Sequence, residues 1–417
     1  MKDKSNYSSR WNRRKLGEVA ELNPKTAKDI LYDDLEVDFI PMRLVEEKTG
    51  RIAVPEKRKF QSVKQGYVSF ANNDILFAKV TPCMENGKIA ITHNLNGKVG
   101  FGSSEFHVIR VSDQILNSFL FYFLVRDKFR NEAAANMTGA VGLRRVSKQF
   151  LENYILPVPT LQEQKAIVTK IEELFSELDA GRRQLEVVKK QLITYRQSVL
   201  KFAYEGKFTK TKFVESKTGN IVDIINNGYT PSREFLSEDF GDIPFIKVYN
   251  LNFNGTLNFK KNPTFIPKDI HKKQLKRSIC LPGDVLINIV GPPLGKVSIV
   301  TDQFPEWNIN QAIVMFRPNE KVISKFLSYF LQNSATINWL EETSKATAGQ
   351  WNVKVSTCRE IPIPICSPVE QEIVVNEIES RLSVCEKLEE IIETCLQQSE
   401  VLKQSILKQA FEGKLVK

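Results

Sequence analysis

Apolar residues recur every three or four positions along a long stretch in the middle of the chain. Ten of the eleven positions that step by four and three from Ile167 are apolar. The positions are Ile167, Ile171, Leu174, Leu178, Gly181, Leu185, Val188, Leu192, Tyr195, Val199 and Phe202. A heptad stripe of this length is typical of a coiled-coil seam. Pro159 and Gly206 flank it as start and stop signals, so the pattern predicts one helix roughly 65 Å long.

A second stretch near the end of the chain carries a similar stripe, with eight of eleven positions apolar. The positions are Val374, Ile378, Arg381, Cys385, Leu388, Ile392, Cys395, Ser399, Leu402, Ile406 and Gln409. The two stretches carry opposite net charge: +3 for residues 161–210 (10 basic against 7 acidic) and −4 for residues 367–417 (6 against 10). Opposite charge favours pairing. We therefore predict an intramolecular antiparallel coiled coil; the alternative is two helices that each pack on their own globular domain.

Both helical stretches belong to a repeat with a spacing of 207 residues. Leu200-Lys-Phe-Ala-Tyr-Glu-Gly-Lys207 matches Leu407-Lys-Gln-Ala-Phe-Glu-Gly-Lys414 at that spacing. The segments between the helices contain short β-rich runs bounded by glycine, proline and asparagine turns. The predicted strands are Ala71–Val80, Lys88–Thr92, Phe106–Val111, Ile243–Tyr249, Asp284–Val290 and Lys296–Thr301. One further helix is predicted in each segment, near Asn117–Arg130 and Ser324–Gln332.

The repeat predicts an α+β fold in which two similar mixed α/β domains are separated by the two long helices, with pseudo-two-fold symmetry. The expected bounds are 1–155 for the first domain, 156–210 for the first helical region, 211–361 for the second domain and 362–417 for the second helical region.

The composition is that of a globular protein with a basic surplus. Hydrophobic residues make up 42% and charged residues 26% of the 417 residues, which is enough apolar material for more than one core. The net charge is +10, and the two α/β segments hold the excess: +7 for residues 1–160 (25 basic against 18 acidic) and +4 for residues 211–366 (18 against 14). That balance favours a polyanionic partner. The chain lacks a membrane-length apolar run, and Met1–Lys15 lacks a signal-peptide core, so we expect a cytoplasmic protein.

Residues for catalysis or metal binding are scarce. The six cysteines include no C-x-x-C pair, and with only three histidines neither a metal site nor a nucleophilic catalytic set is expected. Gly291-Pro-Pro-Leu-Gly-Lys296 is too short and too proline-rich for a phosphate-binding loop. Glu205-Gly-Lys207 and Glu412-Gly-Lys414 look like the Glu-x-Lys pair of nucleases, but each follows a long helix, where glycine is a C-terminal cap. We predict a non-catalytic chain that carries no cofactor.

Basic and amide side chains are concentrated in the two α/β segments. Lys and Arg suit phosphates, and Arg, Asn and Gln can also pair with base edges. The candidate DNA-binding residues of the first segment are Lys57, Arg58, Lys59, Lys79, Thr81, Asn86, Lys88, Arg144, Arg145 and Lys148. Those of the second are Ser232, Arg233, Lys247, Tyr249, Asn250, Lys272, Lys273, Lys276, Arg277, Asn310, Gln311, Gln350 and Asn352. A single basic cluster is commonly a solvated surface, but clusters in two copies of one basic domain favour a nucleic-acid partner.

Motifs at the ends of the helical regions carry a resemblance to a known family. Pro157-Val-Pro-Thr-Leu-Gln-Glu-Gln164 opens the first region, and Pro362-Ile-Pro-Ile with Glu370-Gln371 opens the second. Ala-Tyr-Glu-Gly-Lys207 and Ala-Phe-Glu-Gly-Lys414 close them. Weaker matches open the α/β domains, at Trp11 with Leu16-Gly-Glu-Val-Ala-Glu-Leu22 and at Gly228-Tyr-Thr-Pro-Ser232. The layout resembles the specificity (S) subunits of type I restriction–modification systems. In the second copy, Cys366-Ser-Pro368 is expected to add two residues to the loop before the helix.

The resemblance implies a subunit without catalysis of its own. Each target-recognition domain would read one half of an asymmetric bipartite target in double-stranded DNA, and the helices would set the half-site spacing. Two modification subunits, which methylate adenine N6 with S-adenosylmethionine, would dock on the helices. Where the system includes them, two restriction subunits would add ATP- and Mg-dependent cleavage. No membrane is implied.

Three alternatives remain open on the sequence alone. The chain could be the specificity subunit of a modification-only or other multisubunit restriction system. It could be a coiled-coil adaptor with two protein-binding heads, or a single-chain nuclease or methyltransferase.

Overall fold

The chain forms two compact units, each containing one α/β domain and one end of both long helices. In this computed structural model, the first unit is Met1–Leu185 with Thr394–Lys417, and the second unit is Glu186–Glu393. The structure describes residues 10–25, 32–97, 99–140, 142–238, 240–344, 346–347 and 350–416, with side chains left out at 346, 347 and 350. Within these residues every helix is too short or too polar to cross a membrane. Because the units divide both long helices, the four-segment bounds stay a prediction.

The described residues of the first unit form ten strands and four short helices. The strands are β1 Asn12–Lys15, β2 Ala20–Leu22, β3 Glu36–Ile40, β4 Glu56–Lys59, β5 Val68–Ala71, β6 Ile75–Ala78, β7 Ile89–Ile91, β8 Val99–Gly102, β9 Phe106–Val111 and β10 Ile155–Val158. The helices are α1 Leu16–Val19, α2 Asn117–Leu124, α3 Asp127–Ala135 and α4 Lys148–Asn153. The long helix α5, Leu161–Tyr204, begins in this unit. The 3-10 turns are Met42–Leu44 and Phe60–Ser62.

The strands of the first unit form two four-stranded sheets and one two-stranded ribbon. The sheet orders are β2-β9-β6-β7 and β4-β3-β8-β5, and the ribbon is β1-β10. All neighbours are antiparallel except β3 and β8. Side chains alternate between the faces of a strand, and β6 is buried on both faces. Ile75 and Phe77 enter the core beside the helices, while Leu76 and Ala78 enter the core on the other face.

The second unit repeats this plan. Its strands are β11 Val214–Lys217, β12 Val222–Asn227, β13 Ser237–Glu238, β14 Ile243–Ile246, β15 Thr264–Ile266, β16 Ile279–Cys280, β17 Val285–Asn288, β18 Val290–Gly291, β19 Val297–Ile299, β20 Trp307–Ile309, β21 Ile313–Pro318, β22 Ala346–Thr347, β23 Gln350–Asn352 and β24 Pro362–Ile365. Its helices are α6 Lys268–Lys273, α7 Ser324–Leu331, α8 Ser334–Thr343, α9 Val355–Arg359 and the start of α10, Pro368–Phe411. The 3-10 turns are Thr218–Asn220, Arg233–Phe235, Val248–Asn250 and Lys276–Ser278.

The sheets of the first unit recur in the second, which adds the edge strand β13 to one sheet and contains a further three-stranded sheet. The orders are β12-β21-β17-β19, β13-β15-β14-β20-β16, β18-β23-β22 and β11-β24, and the one parallel pair, β14 with β20, corresponds to β3 with β8. A buried ion pair recurs as well: Arg110 makes two hydrogen bonds to Asp74 (2.8 and 2.7 Å), and Arg317 makes two to Asp284 (2.9 and 2.8 Å). The predicted α+β fold with two similar domains is therefore confirmed.

The closing motif of each long helix completes the core of a unit. Phe411, near the end of α10, is fully buried against Phe119 and Phe123 in the first unit, with ring centroids 5.0 and 5.3 Å apart. Tyr204, at the end of α5, packs against Phe326 and Phe330 in the second unit. Both helices thus end in the unit that holds the α/β domain of the other repeat. The following glycines, with φ of +73° and +72°, are the expected C-terminal caps.

Buried glutamines fix the start of each long helix. The Gln164 side chain accepts a hydrogen bond from Leu116 N and donates to the carbonyls of Gln114 and Pro159. Gln371 makes the same three bonds in the second unit, to Ile323 N and the carbonyls of Lys321 and Cys366. The strand before the helix and the helix itself both start 207 residues later in the second copy. The expectation of two extra loop residues is therefore wrong; the Pro-x-Pro motif instead lies two residues earlier in its strand.

The two long helices pair antiparallel in both units, but the seam of α10 differs from the predicted register. Ile167, Ile171, Leu192, Val199, Val374, Ile378, Ile392 and Ile406 are buried, and Leu174, Leu178 and Leu185 are partly buried. Leu388 and Leu402 are instead 40% and 48% exposed, and Val188 is 39% exposed. At these positions of α10 the less exposed residue is the next one along the chain: Leu382 is buried, and Glu389 and Lys403 are partly buried. Glu389 pairs with Arg196 in the second unit and Lys403 with Asp179 in the first, so ion pairs occupy seam positions.

The helix predicted near Asn117–Arg130 is two helices, because the chain is extended at Arg126 (φ −62°, ψ 140°). The Gln404 side chain of α10 accepts from Asp127 N (2.9 Å), which caps the first turn of α3. Gln197 of α5 does the same for Ser334 N of α8 (2.7 Å). The break at Arg126 therefore gives α3 a separate N-terminus, and a side chain of the long helix α10 caps it.

Replacing Phe411 with alanine should destabilise the first unit by about 3–5 kcal/mol, because a fully buried aromatic ring is removed from a packed cluster. Hydrogen exchange measured by mass spectrometry should show the loss in residues 117–135. The control is Phe202→Ala, which removes a 44% exposed ring from α5 and should cost less than about 1 kcal/mol. Equal losses in the two variants would contradict the packing described here.

Candidate functional site

The candidate basic residues at the edge of the first domain are paired with local carboxylates. The pairs are Lys57 with Asp38 (2.5 Å), Arg58 with Glu56 (2.7 Å), Lys59 with Asp34 (2.9 Å), Arg144 with Glu85 (3.1 Å), Arg145 with Glu105 (2.7 Å) and Lys148 with Glu152 (3.2 Å). Lys57 lies directly opposite Asp38 in the β3–β4 register, so the pairing follows from the strands. The Arg145 hydrogen bond lowers the pKa of Glu105, and the Arg58 hydrogen bond lowers that of Glu56, so both carboxylates stay charged.

The other candidates of the first domain hold loops together. Lys79 donates to Ser104 O (2.7 Å) and Lys88 to Met42 O (3.2 Å). Thr81 donates to the Met137 sulfur (3.6 Å), and Asn86 donates to Glu47 (2.8 Å). These side chains fasten residues 79–88 to neighbouring segments.

The second domain differs, because four of its candidate cations, in α6 and in the 3-10 turn after it, are exposed and have no carboxylate partner among the described residues. We call Lys272, Lys273, Lys276 and Arg277 the basic cluster; all four are exposed, and no ion pair joins them to any carboxylate in the part of the chain that the structure describes. Residues 268–277 contain five basic residues against one acidic residue. The cluster is therefore a site of local positive charge.

Buried polar groups hold the basic cluster in place. His271, between α6 and β20, lies 3.0 Å from Asn308 Nδ2 through Nδ1 and 3.2 Å from Glu306 Oε2 through Nε2. Burial lowers the pKa of His271, so the neutral ring accepts from Asn308 and donates to Glu306. Ser278 also donates to Asn308 Oδ1 (2.7 Å). The helix that carries Lys272 and Lys273 is thus anchored to the sheet from beneath.

The end of β12 lies beside the basic cluster, and the loop that follows this strand contacts Gln311. Asn226 Nδ2 donates to Arg277 O (3.1 Å), and Thr230 N donates to Gln311 Oε1 (3.2 Å). A Cβ on Gly228 would lie 2.1 Å from Ile309 O, so only glycine allows this approach. Tyr229, Ser232 and Arg233 are exposed on the same loop. The structure therefore brings the candidates Arg277, Ser232, Arg233 and Gln311 to one region of the second domain.

Some predicted DNA-binding residues have structural roles instead. Asn250 is fully buried: its Oδ1 accepts from Lys247 N, and its Nδ2 donates to the carbonyls of Asn258 and Lys261. A side chain with all its groups satisfied inside a loop is not free to contact bases in this structure, so the hydrogen bonds of Asn250 argue against its assignment to DNA binding. Tyr249 is partly buried and donates to Asn262 O (3.1 Å).

The remaining candidates of the second domain are Lys247, Asn310, Gln350 and Asn352. Lys247 lies 5.8 Å from the Tyr249 ring, and Asn352 is exposed in β23. Asn310 Oδ1 is buried and has no hydrogen-bond partner among the described residues. The Gln350 side chain lies outside the described residues.

An exposed apolar stripe on α10 was not found from the sequence. Val384, Leu388 and Ile391, which we call the outer stripe, are 56%, 40% and 56% exposed and lie on one face at spacings of four and three. The heptad pattern does not predict this stripe, because it assigns Leu388 to the seam between the two helices. An apolar stripe left outside the helix pair is a candidate protein-binding surface.

Across the described residues, no group of three or more His, Cys, Asp or Glu side chains is placed to hold a metal ion. The six cysteines are free thiols, and burial raises the pKa of Cys358 to about 12 and of Cys366 to about 11. These thiols are protonated near neutral pH and are poor nucleophiles.

A family model described as the type I restriction modification DNA specificity domain matches residues 8–189 and 210–398. The specificity subunit of the type I restriction enzyme EcoAI from Escherichia coli is 39% identical over 175 residues, which cover 42% of this chain and 29% of that protein. The EcoEI specificity subunit from the same species is 24% identical across 93% of this chain and 80% of its own length. The MjaVIII specificity subunit of Methanocaldococcus jannaschii is 25% identical across 97% of this chain and 93% of its own length.

Two solved structures share the fold. A chain from a study of complex assembly and conformational transition in the type I R-M system superposes with a TM-score of 0.77 at 21% identity, covering 97% of this chain and 98% of that one. The HsdS subunit of Thermoanaerobacter tengcongensis gives a TM-score of 0.58 at 19% identity, covering 97% of each chain. At these identities the likeness concerns the fold alone.

Replacing Asn250 with alanine should lower the free energy of unfolding of the second unit by about 2–3 kcal/mol, because three backbone groups lose their buried partner. The matched control Lys247→Ala should change it by less than about 0.5 kcal/mol. Urea denaturation followed by tryptophan fluorescence would measure both, since three of the four tryptophans lie in this unit. A stable Asn250→Ala variant with altered DNA selectivity would restore the base-contact assignment.

Proposed function

The chain belongs to the type I restriction–modification DNA specificity family, and from this premise we propose that it is the subunit that selects the DNA target of a multisubunit restriction–modification complex. The observation that carries the proposal is the duplicated domain: the family model matches twice, and both matches cover the same sheet topology. Two copies of one scaffold with different exposed side chains suit the recognition of two unlike sequences. Catalysis would reside in the partner subunits.

Each domain would read one half of an asymmetric, bipartite target in double-stranded DNA. The candidate cations of the two domains differ: six of those in the first domain pair with carboxylates, while the basic cluster of the second is exposed. Different side chains on the same backbone present different donors and acceptors to base edges. The two half-targets should therefore be unlike.

The long helices would set the distance between the half-sites. α5 and α10 have 44 residues each, and a continuous α-helix of that length extends about 66 Å. Ion pairs at seam positions, Asp179 with Lys403 and Arg196 with Glu389, oppose slippage of one helix along the other. A fixed register gives a fixed spacer, which a flexible linker would not.

We further propose that the outer stripe docks modification subunits, two per chain, which use S-adenosylmethionine to methylate adenine N6. Where restriction subunits are present, they would supply ATP- and Mg-dependent cleavage. The apolar side chains of Val384, Leu388 and Ile391 are exposed to water on one face of α10. Covering such a stripe with a partner helix is favourable by roughly 25 cal/mol per Å² of apolar surface.

Exchange of the first domain tests the assignment of half-targets. Replacing residues 1–155 by the equivalent segment of a relative should change one half of the methylated motif and leave the other half and the spacer unchanged. Methylation sequencing of cells that carry the original gene, the exchanged gene or a deletion would measure this. Loss of a bipartite motif on deletion is required by the proposal; a change in both halves would contradict it.

Placing charge on the outer stripe tests the docking surface. The triple variant Val384→Glu, Leu388→Glu, Ile391→Glu should reduce co-purification of modification subunits at least about tenfold, because a buried charge costs several kcal/mol in an apolar contact. The control triple Val384→Ile, Leu388→Met, Ile391→Val keeps the stripe apolar and should bind normally. Circular dichroism must show that both variants are folded. A folded charged variant that still binds its partners would exclude this surface.

A further inference from the structure

Two groups of candidate cations, one in each recognition domain, differ in whether carboxylates neutralise them. In the first domain, the six basic candidates at 57–59 and 144–148 each lie within 3.2 Å of a carboxylate oxygen. In the second, the four residues of the basic cluster have no ion pair among the described residues. The sequence alone does not show this contrast, because both segments have a net positive charge.

Ion-paired and unpaired cations differ in what they contribute to DNA binding. A lysine that already contacts a carboxylate must exchange that partner for a phosphate, and the released carboxylate then repels the DNA. An unpaired lysine neutralises a phosphate directly and releases its condensed counterion, which gives binding its steep salt dependence. The basic cluster should therefore produce far more salt-dependent affinity per residue than the paired cations of the first domain.

The acids near the basic cluster do not cancel it. Asp269 lies on the same short helix, and Glu306 approaches from the segment before β20, where it is held by His271. Asp242 accepts a backbone hydrogen bond from Lys268 N at the start of that helix (3.1 Å). Burial keeps His271 neutral, so it adds no charge of its own at neutral pH. The four cations consequently face solvent, and no ion pair joins them to these acids among the described residues.

The setting of the cluster also suits a nucleic acid. The Arg277 carbonyl accepts a hydrogen bond from Asn226 near the end of β12, and Tyr229 and Arg233 are exposed on the loop that follows this strand. The cluster thus combines phosphate-binding groups with neighbouring side chains that can reach base edges or stack.

We propose that the second domain contains the phosphate anchor of this chain: Lys272, Lys273, Lys276 and Arg277 bind the backbone of duplex DNA regardless of its sequence. The first domain contributes little to this general affinity and acts mainly after the duplex has been captured. The inference rests on the proposed function, since it requires that the chain binds duplex DNA at all.

The test compares two variants with the same loss of charge. One changes the cluster (Lys272→Gln, Lys273→Gln, Lys276→Gln, Arg277→Gln), and the other changes four paired cations of the first domain (Lys59→Gln, Arg144→Gln, Arg145→Gln, Lys148→Gln). The complex purified through a tag on this chain is titrated with a mixed-sequence duplex that lacks the target, at several salt concentrations. The slope of log affinity against log salt should fall by roughly 3–4 for the cluster variant and by less than about 1 for the other.

Two further measurements make every outcome informative. A charge-keeping variant (Lys272→Arg, Lys273→Arg, Lys276→Arg, Arg277→Lys) should retain the original slope, and thermal melting should show that all variants are folded. Equal slope losses in the two glutamine variants, or an unchanged slope in the cluster variant while the original complex binds, would overturn the phosphate anchor alone. If the original complex bound no duplex at low salt, with or without its target, the proposed function would fail and the anchor with it.

Discussion

The burial of an aromatic residue at the end of each long helix is the interaction on which the rest of the structure depends. Phe411 fills the core of the first unit, although it lies nearly 300 residues after Phe119 and Phe123 in the chain. Tyr204 does the same in the second unit, and its hydroxyl also donates to Phe326 O (2.5 Å). Neither core is complete without a helix end contributed from a distant part of the sequence. The repeat therefore folds as an exchange of helix ends rather than as two independent halves.

That constraint explains which parts of the repeat are similar and which differ. The bonds that fix the starts of the long helices are the same in both copies, at Gln164 and Gln371. The side chains of Gln197 and Gln404 likewise each accept a hydrogen bond from the first turn of a short helix. A buried amide that lost these partners would leave several backbone groups unsatisfied, so the scaffold admits few alternatives. The exposed residues carry no such constraint, and one scaffold can present paired cations in one copy and an open basic cluster in the other.

The architecture could be predicted from the sequence because its signals are local or repeated. The heptad stripe, the 207-residue spacing and the closing motifs each point to one structure. The α10 register could not be predicted, since α10 carries two apolar stripes: Leu382 and Leu388 satisfy heptad spacing equally well, and only the partner helix decides between them. The binding residues were harder still. Asn250 and Lys247 lie in the same polar run, yet one is buried and one is not, and the pairing of Arg145 with Glu105 joins residues 40 positions apart.

The ion pairs in the seam connect this scaffold to its proposed task. Glu389 and Lys403 lie at α10 positions where a coiled coil usually has apolar residues, and replacing such an ion pair by packed hydrophobic side chains is commonly neutral or stabilising. These ion pairs specify the register of the two helices, because a shift of one heptad would separate each cation from its carboxylate and leave unpaired charge in the seam. In a protein proposed to measure the distance between two half-sites, a helix pair with one allowed register matters more than a helix pair of maximal stability.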